Sequence, residues 1–154
     1  MLKLMSQLVL SIVVYGPGTD PNHRSHWAFA IHKKNQETGV LLHVSVIDLP
    51  RLIYQYDHRR DVVLRSASSE GSFVVAELAQ GSAGKAVQLI SEEPAPADGV
   101  ERCQDWVLRA TISLEAEEIV PAGTSDWIAG LVGQPADSVA RAVSERWTST
   151  EAGN

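Results

Sequence analysis

Val100-Glu101-Arg102-Cys103-Gln104-Asp105-Trp106-Val107-Leu108-Arg109-Ala110 holds the chain's one cysteine and places it where a helix begins. Behind the thiol, Trp106, Val107, Ala110 and Leu114 recur at helical spacing, so a buried face starts at once. Ahead of it, Pro94, Pro96, Asp98 and Gly99 cannot continue a helix and form a loop. The spacing predicts a helix from Cys103 to about Ile119, stopped by Pro121. A thiol at a helix N-terminus faces unpaired backbone N–H groups and the positive end of the dipole. Both favour thiolate over thiol, which is how a cysteine becomes a nucleophile. Cys103 therefore has two readings, a nucleophile or a small buried hydrophobe.

Upstream of that helix the pattern changes to strands. Leu8–Tyr15 is rich in Val and Ile and reads as a buried strand. Gly16 to Asn22 is a loop by composition, and His26–His32 is a second strand. Lys33 to Gly39 connects it to a third, Val40–Ile47. A fourth strand is expected near Leu52–Tyr56, with Asp57 to Arg60 as a charged, solvated turn. Val62–Ser66 and Ser72–Leu78 alternate well enough for two more, and Gly81 to Ser91 suits a short helix. Downstream of Pro121, Ser125-Asp126 can cap a short helix through Trp127, Ile128, Leu131 and Val132. Pro135 opens another, with Val139, Ala142, Val143 and Trp147 on one face. Strands followed by helices indicate an α+β domain, with the first three strands in an antiparallel sheet packed against the Cys103 helix.

Composition narrows the function. The 154 residues suit a single domain, and 44% hydrophobic with 21% charged residues is ordinary for a globular chain. A net charge of −6 disfavours nucleic acid and anionic membrane surfaces as partners. One cysteine excludes an internal disulfide and suits a reducing compartment. The apolar run Leu4–Tyr15 is broken by Ser6, Gln7 and Ser11, so it reads as a strand rather than a signal peptide. No apolar run approaches the roughly 20 residues that span a membrane, so no membrane anchor is expected. The chain reads as soluble and cytoplasmic. No cofactor is expected and no metal, since no second thiol exists and the histidines lack paired ligand spacing.

A catalytic thiol needs a base that the fold brings to it. His23 in a loop and His58 in a charge run read as surface residues, as does His32 beside two lysines. His26 and His43 differ, each lying in an apolar strand with bulky neighbours. A turn centred near Lys34-Asn35 makes them cross-strand neighbours on one face, and a wider turn makes them diagonal or offset.

His26-Trp27-Ala28, the strand histidine His43 and Arg102-Cys103-Gln104-Asp105-Trp106 together resemble the circularly permuted papain-like thiol enzymes. The pattern is similar to that of the lecithin:retinol acyltransferase-like and NlpC-like proteins. It also resembles small fungal proteins with a His-Trp strand and a Cys-Gln-x-Trp helix. The resemblance covers about Leu8 to Leu114. It implies a papain-like core over residues 1–119, C-terminal helices over 120–147 and a flexible tail over 148–154. It further implies Cys103 as nucleophile, His26 as general base and His43 as the residue that orients the imidazole. The chain departs from the pattern at Arg102, Gln104 and Trp106, where that family has Asn, Glu and Phe. Gln104 is a candidate oxyanion support or an exposed helix residue. Trp27 and Trp106 flank the site as candidate substrate contacts or as core. The expected activity is cysteine-dependent acyl transfer (hydrolysis, transfer or intramolecular cyclisation) on a small acyl or amide substrate. An isopeptidase resembling the PPPDE family and a non-catalytic binding module on the same fold are the alternatives.

Overall fold

β1 (Leu8–Tyr15) and β2 (His26–Lys33) are buried on both faces, which is why each reads as a nearly unbroken apolar run. In the computed structural model, which describes residues 7–66 and 68–150, they form the middle of a six-stranded antiparallel sheet. β3 (Thr38–Asp48), β4 (Ile53–Val63), β5 (Ser69–Glu77) and β6 (Trp147–Ser149) complete it, in the order β4-β3-β2-β1-β5-β6. Four helices follow β5: α1 (Ala83–Glu92), α2 (Cys103–Ala116), α3 (Thr124–Ala129) and α4 (Ala136–Val143). The α+β class, the antiparallel sheet and its packing on the Cys103 helix all stand as the sequence indicates.

Period-two alternation divides the sheet into two faces. On one, Leu10, Ile12 and Val14 join Trp27, Phe29, Ile31, Leu42 and Val44 against Trp106, Val107, Ala110 and Leu114 of α2. Phe29 meets Trp106 edge-on, ring centroids 5.7 Å apart. Each of these large side chains contributes about 1.5–3 kcal/mol of burial. On the other face Val13, Ala28, Ala30, Leu41 and Leu64 make a smaller cluster, with Tyr15 packed against it.

Several elements differ from expectation, each for a physical reason. The charged run Asp57–Arg60 is no turn but the middle of β4, and Val62 and Val63 end that strand rather than begin another. As the sheet's outer strand, β4 has no fully buried residue: Tyr54 and Tyr56 pack partly against the large core and Val62 against the smaller cluster, and charges occupy most of the positions between. α2 stops at Ala116, before Ile119. Glu118 adopts φ 60°, and the N–H groups of Glu118 and Ile119 return to the Glu115 and Leu114 carbonyls. That is a Schellman ending built without glycine. α3 is capped not by Ser125-Asp126 but by Glu115 of α2, whose carboxylate accepts the N–H groups of Gly123 and Ser125. Those bonds hold the Glu115 carboxyl below its usual range. Trp147 leaves α4 through the turn Ser144–Arg146 and joins β6, which pairs with Gly71–Phe73 of β5. A Cβ on Gly71 would lie 2.4 Å from Trp147 Cζ2, so only glycine lets the indole lie there. Thr148 and Ser149, expected in the tail, are also strand residues, and residues 151–154 lie outside the described residues.

Candidate functional site

The site forms where β2 and β3 part. They pair only from Phe29↔Leu42 to His32↔Gly39, after which β3 continues alone with β4 through Val46↔Tyr54. The backbone of Ser25 to Ala28 is thus left without β3, and the first turn of α2 takes it over. Gln104 Nε2 donates to the Ser25 carbonyl at 2.8 Å, and Cys103 Sγ lies 4.0 Å from the same oxygen. The Trp27 N–H points at the sulfur, as do those of Cys103 and Gln104. Local sequence positions this turn. Asp98 accepts the N–H groups of Val100 and Glu101, and Asp105 reaches back to the Arg102 N–H at 2.9 Å. Arg102 reaches the Asn22 carbonyl through its guanidinium at 3.1 Å, tying α2 to the β1–β2 loop.

His26 alternates with Trp27, so its ring sits on the smaller-cluster face beside Tyr15, ring centroids 5.6 Å apart. Its Nε2 lies 2.9 Å from His43 Nδ1, and His43 Nε2 lies 3.1 Å from Asp57 Oδ2. Arg59 Nε donates to the same Asp57 oxygen at 2.6 Å. The Phe29↔Leu42 register makes His26 and His43 diagonal rather than directly opposed. The structure thus joins the two histidines to each other, and Cys103 to the backbone on either side of His26. Among the described residues no hydrogen bond joins Cys103 Sγ to either imidazole.

The electrostatics follow from this placement. Burial pushes the Cys103 thiol up, against the three N–H groups that favour the thiolate, and nearby Asp105 pushes the same way as burial. Burial first and His43 second bring His26 down to about 4, so its imidazole is neutral at pH 7. His43 is also lowered by burial, with Asp57 opposing the shift. The Arg59 hydrogen bond leads in holding the Asp57 carboxyl below the usual carboxylate range.

Some assignments change. Gln104 is not an exposed helix residue: it is fully buried, and its amide ties Ser25 to the Gly133 N–H, 2.8 Å from Oε1. Both ends of this amide thus have backbone partners, and the N–H groups that face the sulfur are those of Trp27, Cys103 and Gln104. Trp27 and Trp106 are core, 0% and 1% exposed, and Trp106 Nε1 donates to the Glu93 carbonyl. His32 does not face solvent freely but meets Ser11 Oγ at 2.9 Å. His23 and His58 are exposed, as read from sequence. The residue that sequence reasoning missed is Asp57. Its signal was the alternation Tyr54, Tyr56, which marks a strand and sets Asp57 on the opposite side, across from His43.

With the thiol at a helix start beside a His-Trp strand, residues 10–121 match the family of unknown function DUF6540. The chain belongs to this family. The match runs from within β1 to just past α2 and includes His26, His43, Asp57 and Cys103. No curated protein and no solved structure matches the chain. No helix of the described residues is long and apolar enough to cross a membrane.

Proposed function

We propose that the protein is a cysteine-dependent acyl-transfer enzyme of permuted papain-like type, with Cys103 as nucleophile and His26 as base. One observation carries this reading. The first turn of α2 replaces β3 alongside Ser25 and Trp27, so the thiol lies against the residues on either side of His26. The order of a histidine strand, a second histidine strand and a helix-start cysteine supports it further.

In the reaction His26 takes the thiol proton and the sulfur attacks an acyl carbon, moving the carbonyl electron pair to oxygen. The backbone N–H groups at the start of α2 stabilise that oxyanion. Collapse expels an alcohol or amine, which leaves with the proton from His26, and a thioester remains on Cys103. Water, an external acceptor or a group within the substrate then attacks the thioester. These three outcomes are hydrolysis, transfer and cyclisation. His43 holds the His26 ring through the whole cycle.

A second reading is a binding module on this fold, favoured by the lack of any bond between Cys103 Sγ and an imidazole and by the raised thiol. An activated ester separates the two. With para-nitrophenyl acetate, intact mass should show one acetyl group on Cys103, absent in Cys103→Ser and slow to form in His26→Ala. A folded protein that takes no acetyl group on Cys103 overturns the enzyme and leaves the module.

A further inference from the structure

The three-residue chain across β2, β3 and β4 has a consequence for the base itself. We propose that Asp57 is a positioning residue: acting through His43, it fixes His26 with its proton on Nε2 and leaves Nδ1 as the basic nitrogen. This rests on the reading of His26 as the base and adds to it a residue of β4.

Arg59 Nε–H donates to Asp57 Oδ2, so that oxygen lies beside a permanent cation and the carboxyl stays ionised. An ionised carboxylate only accepts, so the His43 nitrogen 3.1 Å away, Nε2, carries the proton. A neutral imidazole has one N–H, which leaves His43 Nδ1 as a lone pair. The group 2.9 Å from that lone pair is His26 Nε2, which must therefore donate. His26 is neutral as well, so its remaining nitrogen, Nδ1, is bare. Each assignment is forced by the one before it. A donor at position 57 would reverse all of them and put a proton on the nitrogen meant to accept one.

The arrangement also suits the charged state. When His26 Nδ1 accepts a proton from the thiol, its Nε2–H still points at the His43 lone pair, and no hydrogen bond in the chain must break. Asp57 touches neither the thiol nor, in this scheme, the substrate. Its effect is on which nitrogen is basic and where the ring stands.

Long-range nitrogen–proton correlation spectra of the ¹⁵N-labelled protein report histidine tautomers directly. At pH 7 both His26 and His43 should show the proton on Nε2. In Asp57→Leu the two rings should lose that fixed pattern and average between tautomers. In Asp57→Asn the Arg59 donor holds the amide oxygen in the Oδ2 place, and the pattern should return. A His26 proton on Nδ1 in the unmodified protein overturns the proposal, and so do unchanged tautomers in Asp57→Leu. If Asp57→Leu does not fold, Asp57→Ala, which also removes the acceptor without adding bulk, carries the same expectation and the same contrary result. The readout involves no acylation of Cys103, so a failed tautomer assignment and a failed thioester are separate results.

Discussion

His26 links site chemistry to stability at the level of one side chain. Its folded value, about 4, lies below the ordinary 6.5, so the unfolded chain binds this proton more readily. Stability from the neutral ring is therefore full above about pH 6.5 and is lost as pH falls through 4. The loss amounts to about 3 kcal/mol from this group. Denaturant unfolding should show that fall between pH 7 and 4.5, and His26→Asn should flatten it. His43 separates packing from catalysis in a different way. His43→Gln keeps a hydrogen-bonding group toward Asp57 or His26 and should lower thioester formation only partly. His43→Leu leaves Asp57 and His26 without their shared partner and should slow it on the order of 30-fold or more, equivalent to about 2–3 kcal/mol. The comparison is rate per folded molecule, well below the melting transition. Full rate in folded His43→Leu would remove His43 from the site.

Elements show what the sequence made legible and what it hid. Strands β1, β2 and β3 and the start of α2 were readable because local pattern sets them: apolar runs, turn residues and a proline-bearing loop before a helical face. What stayed hidden depends on partners distant in the chain. The α3 cap comes from Glu115, the end of α2 rests on a non-glycine residue at positive φ, and Trp147 turns into β6 because Gly71 makes room. Asp57 looked like a solvated charge because an edge strand carries charge as freely as a turn does. Gln104 is the clearest case. No local rule distinguishes a helix-surface glutamine from one that joins Ser25 to Gly133. Gln104→Leu should leave both backbone groups unpaired and cost on the order of 2–4 kcal/mol in denaturant unfolding. Amide exchange at Gly133 should rise in the same variant. Unchanged stability together with a protected Gly133 amide would show that α2 is held at the β2–β3 parting by other contacts.

Across the whole molecule, the sheet separates the two halves of the proposed reaction centre. Its helix side carries the thiol and its other side carries the His26–His43–Asp57 chain. The backbone at the start of β2 links them, since the Ser25 carbonyl and the Trp27 N–H on either side of His26 face the sulfur. The remote C-terminal part, α3, α4 and β6, closes the large core against the same helix and β5. Gly71→Ala should dislodge Trp147 and lower the melting temperature, yet leave thioester formation per folded molecule unchanged, because β6 lies at the far edge of the sheet from His43. A parallel fall in rate would mean that the C-terminal segment helps to shape the site. The claim that thiol and imidazole work together is tested most directly by the acylation of Cys103 with para-nitrophenyl acetate at pH 7, which the single cysteine makes unambiguous. Burial holds the thiol up and His26 down, so the resting pair is neutral and His26 draws the proton off as the sulfur attacks. The account predicts that acylation slows on the order of 100-fold or more in folded His26→Ala. An acylation rate that is the same with and without His26 would contradict the account.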